Sequence, residues 1–327
     1  MIRYLIRRLI YMIILLWMIS LVGFWLINLA PGTALDVKNQ AIQAQGAEVD
    51  ARQVQAVERA LGLTAPVLQR YVEWLGGILH GDFGQSFVFG QPVSQLLLSR
   101  LPVTAMIVVL GLFLSWVVAV PIGVYSATHR YTLPDYLVTF LQFVGVAVPE
   151  FLTALTLLVI TNALGENEFG GLLSPEFETA PLSLAKVGDF LGHLWIPVVV
   201  IALASTAWQS RVMRANLLDV LEYQYVQTAR AKGLREWSVI WKHAVRNALA
   251  PLVMSLGMQL PALFSGELMV SMVLNLPTDG PIYFAALQDK DTNLAIALLM
   301  ATASLLVVGN LVADLLLVWL DPRIRPE

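Results

Sequence analysis

The chain has 327 residues, 57% of them hydrophobic and 13% charged, with a formal net charge of −3. Soluble domains carry about 25% charged residues, so this one has too little charge to coat a water-facing surface, and the composition points to an integral membrane protein. Cysteine is absent, which excludes a disulfide framework, a thiolate nucleophile and a cysteine-based metal site.

A bilayer core of about 30 Å takes about 20 apolar residues in a helix. Six segments suit that role: Leu9–Leu29, Val103–Tyr125, Tyr136–Ile160, Leu194–Trp208, Leu249–Leu274 and Leu294–Leu320. The first is too long for a signal-peptide core and lacks a clear small-x-small cleavage site, so it reads as a retained anchor. Residues 31–101 form an insert between the first two spans. Within it, Val49, Val54, Val57 and Leu61 have helical spacing, and Gly62 follows as a C-cap. Leu68–Leu79 reads as a second helix ending at Gly81, and His80–Ser86 (HGDFGQS) as a turn. The insert is too small for a catalytic domain and is expected to pack on the outer mouth. The fourth span is short and contains Pro197. It either begins earlier or lies partly buried.

Lysines and arginines of short loops orient the chain. Arg3, Arg7 and Arg8 precede the first span, and His129 and Arg130 sit in the second-to-third turn. Arg211, Arg214, Arg230, Lys232, Arg235, Lys242 and Arg246 lie between spans four and five, and Arg323 and Arg325 end the chain. With six spans all of these fall on one side, the cytoplasmic one. The opposite loops are acidic: Glu166, Glu168, Glu176, Glu178 and Asp189 stand against Lys186, and Asp279, Asp289 and Asp291 against Lys290. Both termini are therefore expected inside.

Enzymatic signatures are missing. There is no GxxxxGK[ST] phosphate loop, no HExxH and no GxSxG elbow, and the four histidines are scattered over both faces. The most informative stretch is instead Thr228–Pro251, TARAKGLREWSVIWKHAVRNALAP, a basic and partly apolar loop between hydrophobic spans. Val220–Lys232 can form a helix, Gly233 permits a sharp turn, and Trp237–Asn247 can form a second helix. Val226, Ala229 and Leu234 are its apolar contacts. Two readings of this elbow stand: a docking surface for a soluble partner, or a basic loop that only fixes topology.

The loop resembles the EAA coupling loop of permeases of binding-protein-dependent ABC importers, in particular the dipeptide/oligopeptide/nickel family. The shared pattern is Tyr225, Val226, Thr228, Ala229, Arg230, Ala231, Lys232 and Gly233, then His243, Ala244, Arg246, Asn247, Ala248 and Pro251. LAPGTALD (29–36), ALGLTAPVLQRYVEWL (60–75), GDFGQS (81–86), RLPVT (100–104), PIGV (121–124), VPEF (148–151) and DPRIR (321–325) also look like the first permease subunit of such systems. The resemblance implies an all-α membrane protein of six transmembrane helices with the type I ABC importer transmembrane-domain fold and an extracytoplasmic insert between spans one and two. It divides the chain into an anchor helix (1–30), the insert (31–101) and a five-helix permease core (102–327) with its coupling loop at 211–248. It implies that Gln227, Thr228, Ala229, Arg230, Ala231, Lys232, Gly233 and Leu234 dock into an ATPase groove. It further implies a second homologous permease, two ATPase subunits that hold ATP and Mg, and an extracytoplasmic substrate-binding protein. No cofactor on this chain and no nucleic acid are expected. One departure stands out. Ser271 occupies a position where the family usually has Glu, and Glu267 lies one helical turn earlier on the same face.

Ionisable groups at membrane depth are costly and usually face a cavity or a partner. Glu150 follows Pro149 in span three, and Glu267, Gln259 and Ser271 lie along span five. They are candidates to line a translocation path, and the other reading is that they are interhelical hydrogen-bond partners. Asp314, four residues after Asn310, reads as an interhelical partner. The expected function is a permease subunit of an ATP-driven importer of peptides or related small solutes, working by alternating access. The alternative is a channel or secondary transporter for a small solute.

Overall fold

The structure is a computed structural model and describes residues 2–29, 65–164 and 170–320, together with single positions at 35, 39 and 43. The expected Val49–Leu61 helix, its cap Gly62, Glu166, Glu168 and the terminal DPRIR lie outside the described residues. The long elements are helices: α1 (Ile2–Leu29), α2 (Val67–Leu79), α3 (Val93–Thr128), α4 (Leu133–Ala147), α5 (Glu150–Ala163), α6 (Leu184–Leu221), α7 (Gln224–Ala231), α8 (Ala250–Val273), α9 (Asp279–Gln288) and α10 (Thr292–Leu320). Five are long and apolar enough to cross a membrane, and the α4–α5 pair makes a sixth candidate if it counts as one span. α1 exposes Leu9, Ile13, Trp17 and Trp25, an outer surface suited to acyl chains.

The third span corrects an expectation. Tyr136–Ile160 is not one straight helix; it breaks between α4 and α5 with a bend of 103°. The cause is local. Proline has no N–H to continue a helix, and its ring pushes the preceding residue out of the α region. Val148 is extended (φ −86, ψ 122), and so is Pro149 (φ −59, ψ 141). The fourth span begins earlier and ends later than Leu194–Trp208, since α6 runs for 38 residues through Pro197. Arg211 and Arg214 therefore sit on α6 and not in a loop.

The chain folds as two compact units. One comprises the residues up to Thr104 with Thr278–Val307, and the other Ala105–Pro277 with the residues from Val308 onward. In the first unit, Phe24 of α1 packs with Tyr71 and Trp74 of α2 at ring-centroid separations of 5.4 and 5.7 Å, and Ser20 Oγ lies 2.9 Å from the Tyr71 hydroxyl. After α2, Gly81 and Gly84 both take positive φ, as the expected turn requires. Asp82 Oδ1 accepts the Gly84 N–H, and Ser86 Oγ donates to Asp291 Oδ2 at 2.6 Å. Asp291 is fully buried and also accepts from the N–H groups of Val88 and Leu294. Asp279, at the start of α9, is buried as well and accepts from Thr104 Oγ1 (2.7 Å) and Thr302 Oγ1 (3.3 Å). Two of the acids counted as outer-loop charges are thus internal hydrogen-bond acceptors.

In the second unit α6 is the central post. α4, α5 and α8 all pack on it. At Gly123 α3 comes so close that a Cβ would stand 2.6 Å from Met213 Cβ and 2.8 Å from the Ser210 carbonyl oxygen, a physical reason for glycine in the PIGV run. Asn310 is an interhelical neighbour of α8, since a Cβ at Gly257 would stand 2.6 Å from its Oδ1.

Candidate functional site

The elbow between α6 and α8 has the expected helix–Gly–helix form, with shifted boundaries. α6 ends at Leu221, so Val220–Lys232 is not one helix; the chain turns at Glu222 and Tyr223 before α7 begins. α7 then stops in a Schellman motif. The Gly233 N–H donates to the Arg230 carbonyl at 2.9 Å, and the Leu234 N–H to the Ala229 carbonyl at 3.4 Å. Gly233 has φ +73, a conformation that a side chain disfavours. The return limb, Glu236–Ala248, is continuous and helical but contains a π-helical stretch at Val239–Ala244, a feature common at functional sites.

Apolar spacing decides which face of α7 turns inward. Val226 and Ala229, three residues apart, are 0% and 7% exposed. They join a core cluster with Val124, Leu217, Val239, Val245 and Leu252. Val226 and Ala229 fix the elbow to the ends of α3, α6 and α8, so Ala229, counted among the docking residues 227–234, serves as an anchor of α7. Gln227, Thr228, Ala231, Lys232, Gly233 and Leu234 are exposed, and Arg230 is partly so. Arg230 forms a forked pair with Glu236 (2.6 and 3.1 Å), whose hydrogen bonds raise the guanidinium pKa further. Asn247 Nδ2 donates to the Tyr225 hydroxyl at 2.6 Å and ties the two limbs together. Trp237 is 72% exposed and packs against Trp241 with the ring planes tilted by 40°.

The polar groups inside the spans fall into two sites. Glu150 is the first residue of α5, immediately after the break. Its carboxylate lies against Gly266 of α8, where any Cβ would overlap it, and its Oε2 is buried without a hydrogen-bond partner. Glu267, next to that glycine, is 1% exposed, and Ser271 is fully buried with its hydroxyl on the Leu268 carbonyl. Gln259 is elsewhere. It accepts from Gln209 Nε2 at 2.5 Å and donates to Ser255 Oγ at 2.7 Å, while Gln209 also reaches Ser115 Oγ at 3.2 Å. Gln209 is fully buried and was not singled out in the sequence; its signal was a lone amide in an apolar run. Among the described residues no His, Asp and Glu group could hold a metal ion.

Comparison with known proteins gives the family. Residues 119–326 match the model of the family described as binding-protein-dependent transport system inner membrane component, and residues 1–108 match its N-terminal companion. This chain belongs to that family. The oligopeptide transport system permease protein AppB of Bacillus subtilis (strain 168) is 35% identical, the match covering 98% of this chain and 99% of AppB. The oligopeptide transport system permease protein OppB of Mycobacterium tuberculosis (strain ATCC 25618 / H37Rv) is 31% identical, with 99% of each chain covered. The permease is a transport subunit and not an enzyme, and membership implies ATPase and substrate-binding partners. Its family match embraces the elbow, the Glu150–Gly266 contact and the Gln209–Gln259 hydrogen bond.

Proposed function

We propose that the permease forms one transmembrane half of an ATP-driven importer of peptides or related small solutes. Both termini and the elbow face the cytoplasm, the insert at 31–101 lies outside, and residues 102–327 form the transporting core. A second homologous permease completes the path, two ATPase subunits carry ATP and Mg, and an extracytoplasmic binding protein delivers the substrate. The elbow carries this reading. α7 is anchored through Val226 and Ala229 to the ends of the spans while Gln227, Thr228, Lys232 and Leu234 stay exposed. A body that grips the exposed face pulls on the spans through the buried one. The peptide class rests on the names of AppB and OppB, relatives over nearly the full length.

Glu150, Glu267 and Ser271 are assigned to the path, with Glu267 attracting a cationic group such as a peptide amino terminus. Gln259 is assigned to the path at a second level, about two turns along α8 from Glu267, held by Gln209. The deciding experiment is uptake of labelled peptide into vesicles reconstituted with the full transporter. Uptake is expected to require ATP and the ATPase subunits. Uptake that persists without them would make the permease a channel or secondary transporter.

A further inference from the structure

The turn between α3 and α4, His129–Thr132, has no part in the site described so far. Tyr131 there adopts φ +61, a left-handed conformation that is unfavourable for a bulky residue. Its side chain is 75% exposed, so packing within the chain does not offset that cost. The strain is held by a buried clamp. Asp135, 2% exposed, accepts the Tyr131 N–H at 3.0 Å and Arg214 Nη2 at 2.9 Å on one oxygen, and the Ser126 hydroxyl on the other. Side chains from α3, α4 and α6 thus hold a strained backbone that presents an exposed ring, with Leu133 also exposed beside it. The turn also borders the elbow. A cleft of about 680 Å³ has His129 and Arg130 on one wall and Gln227, Arg230 and Glu236 on the other.

We propose that this turn is a second docking point for the ATPase subunit, with Tyr131 and Leu133 seated on the ATPase surface next to the elbow. The inference rests on the elbow reading given above. Continuity identifies the occupant: His129 and Arg130 of the turn line one cleft with the elbow, so a body that covers the elbow's outer face reaches the turn whose next residue is Tyr131. The lipid headgroup layer, where tyrosines also collect, is the competing occupant.

The test places a photo-crosslinking aromatic amino acid at position 131 and, separately, at position 234 in the full transporter reconstituted in lipid. Both positions are expected to crosslink to the ATPase subunit. A crosslink from 234 alone, with 131 reaching only lipid, overturns the second docking point and leaves the elbow reading intact. A crosslink from neither position overturns both, and one from 131 alone overturns the elbow reading while keeping the turn as a docking point. In the same preparation Tyr131→Ala is expected to lower substrate-stimulated ATP hydrolysis about fivefold, the scale of a lost aromatic anchor, while Tyr131→Phe keeps it. Wild-type stimulation in Tyr131→Ala, with the permease pair still co-purifying, would also overturn the proposal.

Discussion

At residue scale, Gly233 bears the most specific demand. Its φ of +73 closes α7, and nothing lies within 4 Å of where a Cβ would be, so a substitution there acts through the backbone and not through a clash. Gly233→Val is expected to cost about 1–2 kcal/mol locally and to weaken substrate-stimulated ATP hydrolysis while membrane insertion persists. Normal coupled transport would refute this. Asp279 gives a pH signature. Burial holds its carboxyl above the usual carboxylate range, against the hydrogen bonds from Thr104 and Thr302 that pull it down. A raised folded pKa contributes stability that is full below the unfolded value, near pH 4, and is lost as pH rises through the folded value. Asp279→Asn should therefore melt higher than wild type at pH 7 and no higher at pH 4, measured on the purified transporter; an equal gap at both values would remove the titration argument. Glu267→Gln should assemble with its partners yet carry cationic peptides more slowly than neutral ones, and equal rates for both would make Glu267 a structural group. Gly233 was legible from sequence because its demand is local. Asp279, Asp291 and Asp135 were not, because their partners lie 175, 205 and 79 residues away and one sequence holds no sign of such pairings.

At the scale of elements, hydropathy located the spans but not their direction. Tyr136–Ile160 is mostly apolar, and hydropathy treats it as one rod. Pro149 was visible, but a proline inside a membrane helix can be tolerated, as Pro197 is within α6. The difference at Pro149 is that Val148 also leaves the helical region. Removing the ring should let α4 run on into α5. Spin labels at Phe140 and Val159, both exposed, should then move apart by about 10 Å in Pro149→Ala, given 1.5 Å of rise per residue. An unchanged distance would show that packing of α5 on α8, rather than the proline, sets the bend. Element boundaries in the elbow were less legible than its existence. The stop at Leu221 and the π-helical stretch depend on what Val226, Val239 and Ala244 bury against, which spacing alone does not reveal.

At the scale of the molecule, composition alone pointed to a membrane, and the distribution of arginines gives an expected orientation with both termini inside. Single cysteines are clean probes of that orientation because the native chain has none. Cysteines at Glu176 and Arg235, both on exposed polar segments, should react from opposite sides of the membrane; reaction from the same side would end the six-span arrangement. The length of α6 has its own consequence. Its 38 residues span about 57 Å at 1.5 Å per residue, nearly twice a bilayer core of about 30 Å. Pro197 lies within it, and the stretch from there to Leu221, where the elbow begins, is a lever arm of about 36 Å. A swing of only about 5° at the proline sweeps the far end through about 3 Å, so a small change of angle within the lipid becomes a stroke the width of an atom where α7 hangs from its tip.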